Sequence, residues 1–141
     1  MGAKVDRSDK GWEISVTPMY LTPKGRGLFL TPQAPTEEDE EKGMLQLHQM
    51  HRDIVFEYPD GVEALAYSDR CQVQGMYARG KVITVQGHPE FNQEIVTELL
   101  ESRHAVGIFD DGMFKDGMDR VGKRHDGVAV SKAFIKFLLE D

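Results

Sequence analysis

An α/β domain is what the sequence predicts, and three observations predict it. Residues 82–85, Val-Ile-Thr-Val, are a short apolar run of the kind found in a strand covered on both faces. Directly beyond it, Ile95, Val96, Leu99 and Leu100 recur at helical spacing. At the end of the chain Val130, Ala133, Phe134, Phe137 and Leu138 form one apolar stripe, with Asp126 placed to cap it. Strand followed by helix, with a terminal helix free to dock on a sheet, is the pattern of mixed α/β layers.

Each element follows from local chemistry. Residues 11–22 are rich in β-branched and aromatic side chains and read as a strand, with Pro18 marking an edge or a bulge. Pro23, Pro32 and Pro35, followed by the acidic run Glu37 to Glu41, predict a mobile surface loop over 23–43. A second strand is expected within 44–59, closed by the turn Pro59-Asp60-Gly61. Residues 62–87 predict short strands with turns at Ser68-Asp69 and at Ala78 to Gly80, the latter a hairpin. The spacing predicts a helix over 92–103, with Pro89 just before its start. Between Gly107 and Gly122, Phe109, Met113 and Val121 can share a helical face, although the glycines weaken it.

Composition narrows the function classes. A chain of 141 residues with 40% apolar and 29% charged residues suits one globular domain able to bury a core without staples. A formal charge of -7, with no basic stripe, argues against nucleic acid. No apolar run is long enough to span a bilayer, and nothing at the N-terminus resembles a signal peptide. Cys71 is the only cysteine, which excludes an internal disulfide and fits a reducing compartment, so a cytoplasmic location is expected. His48, His104 and His125 share no ligand spacing and read as surface histidines, and no Gly-rich phosphate loop occurs, so neither metal nor cofactor is expected.

The chemistry concentrates at the corner His88-Pro89-Glu90. It falls at the carboxyl end of a predicted strand, where α/β sheets place their ligands. Residues two apart in extended chain project to one side, so Glu90 can accept a ring N–H of His88 and fix its tautomer. Pro89 between them stiffens the turn.

The stretch "VQGHPEF", with a strand before it and a helix after, resembles the His-Pro-Glu signature of class I (triad) glutamine amidotransferases. Upstream, "MHRDIVFEYPDGVEALAYSDRCQVQGM" is similar to the His-x-Asp-x-Val and Ala-x-Ser sequence of stand-alone members and of GMP synthetase glutaminase domains. The tail "HAVGIFDDGMFKDGMDRV" and the closing "HDGVAVSKAFIKFL" follow the same outline, so the resemblance covers nearly the whole chain. It implies a flavodoxin-like α/β domain. It also implies a Cys-His-Glu triad in which a cysteine attacks a γ-glutamyl amide, His88 activates the thiol and protonates the leaving group, and Glu90 orients His88. His51 and Asp53 match the His-x-Asp segment that borders the substrate.

The resemblance also implies an incomplete domain. The family's nucleophile sits in a Gly-x-Cys-x-Gly turn, and no such turn occurs here. Cys71, in "SDRCQVQ", lies in a strand region and reads as a buried structural thiol. Residues 1–141 resemble the C-terminal part of the domain, with the nucleophile elbow and oxyanion donors missing. The expectation is therefore a chain without glutaminase activity of its own, associating with a complementary N-terminal half, forming a homo-oligomer, or belonging to a longer product. Two alternatives stand beside amide hydrolysis: a γ-glutamyl peptidase acting on glutathione-type conjugates, and a non-catalytic binding or assembly module.

Overall fold

The longest ladder of the sheet comes from two segments whose apolar and polar residues line up. In the computed structural model, which describes residues 1–30 and 43–140, β2 (Glu13–Leu21) and β3 (Met44–His51) pair antiparallel, from Glu13 opposite His51 to Tyr20 opposite Met44. Three further antiparallel strands, β5 (Glu63–Tyr67), β6 (Gly75–Ala78) and β7 (Val82–Val85), complete a sheet of order β3-β2-β5-β6-β7. The short strands β1 (Val5–Arg7) and β4 (Asp53–Val55), the first of them unforeseen, form a separate two-stranded ribbon. The expected hairpin is β6–β7, turning through Gly80 at φ 64°.

Helices cover both faces, because successive strand residues point to opposite sides. On one face Met19, Leu21, Leu45, Leu47 and Leu65 pack with Phe29 of α1 (Pro23–Phe29) and with Val130 and Ala133 of α4 (Gly127–Leu139). On the other, Ile14 and Met50 pack with Val96 and Leu100 of α2 (Gln93–Ala105), and Met113 and Met118 of α3 (Asp111–Arg120) join them. This is a three-layer α/β arrangement.

The structure departs from the sequence expectations at several points. Residues 23–29 are a helix, although the segment reads as loop. Thr22 caps it by accepting from Gly25 N at 3.1 Å, and Pro23 fills the first turn, where a missing N–H costs nothing. Phe29, fully buried, adds roughly 1.5–3 kcal/mol. Pro32, Pro35 and the acidic run Glu37 to Glu41 lie outside the described residues. The run 82–85 is covered less than expected: β7 is the edge of the sheet and every residue in it is half-buried. Pro18 sits in neither an edge strand nor a bulge, since the β2–β3 register is unbroken, yet β5 pairs with β2 only at Tyr20 and Leu21, so β5 leaves the stretch around Pro18 unpaired on its side.

α2 begins where predicted, Asn92 accepting from Ile95 N at 2.9 Å. The Gly107 to Gly122 segment does hold a helix, and Gly117 has a use there: a Cβ would stand 2.8 Å from Leu100 Cδ2 and 3.1 Å from Ile14 Cδ1. Its bareness lets α3 press onto the core. Asp126 precedes α4 but makes no side-chain cap; its Oδ2 accepts from Gln46 N at 2.7 Å instead. Leu138 belongs to the outer side of α4, 78% exposed, while Val130 and Ala133 carry the packing.

The two glycines of α1 separate packing from propensity. A Cβ on Gly25 would run into the Leu65 carbonyl, whereas one on Gly27 would meet nothing within 4 Å. Gly25→Ala is expected to destabilise by about 1–3 kcal/mol through overpacking. Gly27→Ala is expected to stabilise by about 0.5–1 kcal/mol through propensity. Urea unfolding of the two variants checks this, and equal effects would contradict it.

Candidate active site

The His88 corner is built by backbone anchors from β3 and from the residue that precedes β6. Gln86 N donates to Gln74 O at 2.7 Å and His88 N to His48 O at 2.9 Å, which brings the chain leaving β7 across the sheet. Phe91 N then donates to His88 O at 3.2 Å, closing the turn that feeds α2. A Cβ on Gly127 would collide with the Pro89 carbonyl, so the start of α4 lies directly against the corner.

This framework brings together the residues read as a pair. His88 Nδ1 lies 2.7 Å from Glu90 Oε1, and the ring stacks on Phe91 with centroids 4.0 Å apart and planes 7° apart. An ionised carboxylate only accepts, so the proton of neutral His88 sits on Nδ1 and the lone pair on Nε2. The ring is one-third exposed, and Nε2 has no hydrogen bond among the described residues. An imidazole held in one tautomer with Nε2 open can take a proton from a nearby acid and return it.

His51 and Asp53 are placed differently. Among the described residues no hydrogen bond or ion pair joins either side chain to His88. His51, 9% exposed, points Nε2 at Glu13 Oε1 at 2.9 Å and Nδ1 at Asp53 O at 3.1 Å. Both oxygens only accept, so both bonds are complete only when each nitrogen carries a proton. The Asp53 carboxylate is exposed, with Arg7 Nε 3.9 Å away.

What sequence reasoning missed is the polar cluster around Glu13, which is 4% exposed. Glu13 Oε1 accepts from Gln74 Nε2 at 2.6 Å and Oε2 accepts from Ser68 Oγ at 2.5 Å. Gln74 Nε2 also donates to Ser68 Oγ at 3.0 Å, and Gln49 Nε2 donates to Gln74 Oε1 at 3.2 Å. The usable signal is parity: within strands Glu13 shares a side with Met19, and Gln49 with Leu45 and Leu47, so polar residues interrupt a core-facing row.

The sequence places His48 at the surface with His104 and His125, and burial corrects that. His48 is fully buried, neither ring nitrogen has a partner among the described residues, and its ring centroid lies 4.9 Å from that of His125. Burial first, and then His125, push its imidazole down to about 4. Cys71 is also buried; burial first and then Glu13 push its thiol up to about 11, while its Sγ lies 3.4 Å from Val73 O. A thiol so placed is not a thiolate at neutral pH.

No family model matches the chain. A glutamine amidotransferase-like protein of Schizosaccharomyces pombe is 28% identical over 99% of this chain and 52% of its own length. A Saccharomyces cerevisiae protein bearing the glutamine amidotransferase name is 36% identical over 77% of this chain and 39% of its own length. γ-Glutamyl peptidase 2 of Arabidopsis thaliana is 28% identical over 86% of this chain and 46% of its own length. These relatives make the chain glutamine amidotransferase-like. It spans about half the length of these relatives. Two solved glutamine amidotransferases share the fold of this amidotransferase-like chain. That of Thermotoga maritima has TM-score 0.64 at 17% identity, over 99% of this chain and 56% of that one. That of Methylobacillus flagellatus has TM-score 0.62 at 15% identity, over 99% of this chain and 58% of that one. The flavodoxin-like α/β expectation accords with both.

His48 makes stability depend on pH in a defined direction. Above about pH 6.5 neither the folded nor the unfolded chain binds a proton there; between 6.5 and about 4 only the unfolded chain does, so stability falls on acidification. The loss is complete near pH 4 and amounts to on the order of 3 kcal/mol. Comparing denaturant unfolding of the wild type and His48→Leu from pH 7 to pH 4 isolates it. Their free-energy difference is expected to change by that amount, and parallel curves would remove His48 as the cause.

Proposed function

We propose that the chain carries the histidine and glutamate of a Cys-His-Glu triad for hydrolysing γ-glutamyl amides, and is part of a class I glutamine amidotransferase domain. The observation that carries this reading is the His88–Glu90 contact of 2.7 Å with Nε2 left open at a strand-end corner. His88 Nε2 takes the proton of a cysteine thiol, the thiolate adds to the amide carbon, and the same nitrogen returns the proton to departing ammonia. Water, deprotonated by His88, then releases the glutamyl group from the thioester. Glu90 keeps the ring in the tautomer that both transfers need and offsets its charge when protonated.

Cys71 does not suit the thiol's role, because it is buried and bonded toward Val73 O. The nucleophile is therefore assigned to a segment outside residues 1–141, an N-terminal half or a second subunit. The outer edge of β7 supports such a partner: half-buried and without a strand neighbour among the described residues, it is a template for one more strand ending beside His88. His51 and Asp53 are retained as the substrate border. With the His51 ring committed to Glu13, the Asp53 carboxylate is the group left to reach a ligand. A cytoplasmic location is proposed from the single free thiol.

The second reading, a γ-glutamyl peptidase, has its own support in the Arabidopsis thaliana relatives of that name. The two differ in leaving group while sharing the base.

Ammonia release from glutamine, and amine release from a glutathione conjugate, are the deciding assays. The 141-residue chain alone is expected to release neither. Joined to a segment bearing a Gly-x-Cys-x-Gly turn it is expected to turn over, and His88→Ala to lower kcat by roughly 10²–10⁴-fold. A complemented protein indifferent to His88→Ala would end the triad reading and leave the assembly module.

A further inference from the structure

We infer that Gln49 is a positioning residue for His88, holding the corner through Gly87 under the control of the buried Glu13 cluster. The inference rests on the reading of His88 as the base.

Three observations meet at Gln49. First, a Cβ on Gly87 would stand 2.8 Å from Gln49 Nε2 and 3.2 Å from its Oε1, so the Gln49 amide is the floor on which the backbone just before His88 rests. Only glycine leaves room for that contact. Second, the floor is fixed. Gln49 is fully buried and donates to Gln74 Oε1, and Gln74, also fully buried, is held by Glu13 and Ser68. An amide end that would otherwise swing aside is thereby tied to a carboxylate receiving donors from His51, Ser68 and Gln74. Third, the same Gln74 holds the corner by its main chain, accepting from Gln86 N at 2.7 Å. The residue before Gly87 and the side chain beneath Gly87 thus share one anchor.

The physical consequence is a fixed height for the His88 backbone. His88 N is anchored at 2.9 Å to His48 O, and the residue after His48 on the same strand is Gln49. Strand β3 therefore grips the corner twice, once through a main-chain acceptor and once through the Gln49 amide. Gln49 Oε1 is buried with no partner among the described residues, a penalty that an apolar residue of the same shape would avoid. A polar residue retained at that cost suits placement better than packing. In this role Gln49 touches neither substrate nor reacting atoms; it acts through Gly87 on where His88 Nε2 points.

The test reads the His88 ring directly on the 141-residue chain, by ¹⁵N NMR of labelled histidine, with thermal unfolding alongside. In the wild type a single Nδ1–H tautomer is expected. Gln49→Met keeps the volume and drops the hydrogen bond; it is expected to retain a cooperative melt while the His88 signals broaden or split between tautomers. Gly87→Ala is expected to disturb the same signals by pushing the Gln49 amide away from the corner. In the complemented protein Gln49→Met is expected to lower kcat roughly tenfold to a hundredfold with KM within about twofold. Unchanged His88 signals in Gln49→Met or in Gly87→Ala would overturn the inference. If His88→Ala leaves turnover intact while the ring signals respond as described, the proposed function fails and the positioning of His88 by Gln49 stands.

Discussion

The burial of the Glu13 carboxylate is the constraint on which the rest of the structure depends. A charge taken out of water without partners costs several kcal/mol, so the fold must deliver donors to it from distant parts of the chain. It does so from β3 with His51, from the turn after β5 with Ser68, and from the approach to β6 with Gln74. Satisfying one carboxylate thereby fixes the mutual placement of β2, β3, β5 and β6, and β6 holds the edge strand that leads to His88. Removing one partner would leave the others aimed at an incompletely paired charge, so the cluster acts as a unit. Apolar packing on the two faces provides the bulk of the stabilisation. The cluster chooses the register.

Much of the layered architecture was legible in the sequence, because periodicity reports faces. The helices after Asn92 and Asp126, the β6–β7 hairpin and the strand at Glu13–Leu21 all follow from spacing and turn residues. What escaped is non-local. Residues 23–29 contain two glycines and a proline, a weak helix by propensity, and are held by Thr22, by Phe29 in the core and by the close approach of Gly25 to Leu65. Likewise β7 reads as an interior strand because its residues are apolar, whereas its edge position depends on which strands come together. The His88–Glu90 pair was legible because both partners lie within one turn. The Glu13 cluster was not, since its members are up to 61 residues apart.

Local geometry by itself does not make a site, and the molecule contains its own control. His104 Nε2 lies 2.7 Å from Asp111 Oδ1, and its ring stacks on Phe114 at 4.2 Å with planes 7° apart. That is nearly the arrangement of His88 with Glu90 and Phe91. The differences are in surroundings and in the atom engaged. His104 sits in the last turn of α2, where a basic side chain meets the negative end of the helix dipole, and Asp111 opens α3, so their contact joins two helix ends. It uses Nε2 on a fully exposed carboxylate.

At His88 the carboxylate engages Nδ1 and the nitrogen far from the backbone stays open, at the end of a strand whose main chain is anchored to β3 and to the residue preceding β6. A base needs that combination: a free lone pair, a fixed tautomer, and a backbone that does not drift relative to its reaction partner. The first two requirements are met within three residues of sequence. The third is met only by the fold, through Gln86, Gly87 and the strands beneath them. The same His-carboxylate-aromatic unit is therefore a latch between helices in one place and an oriented base in the other, and the difference lies in what holds the backbone and which nitrogen is left free.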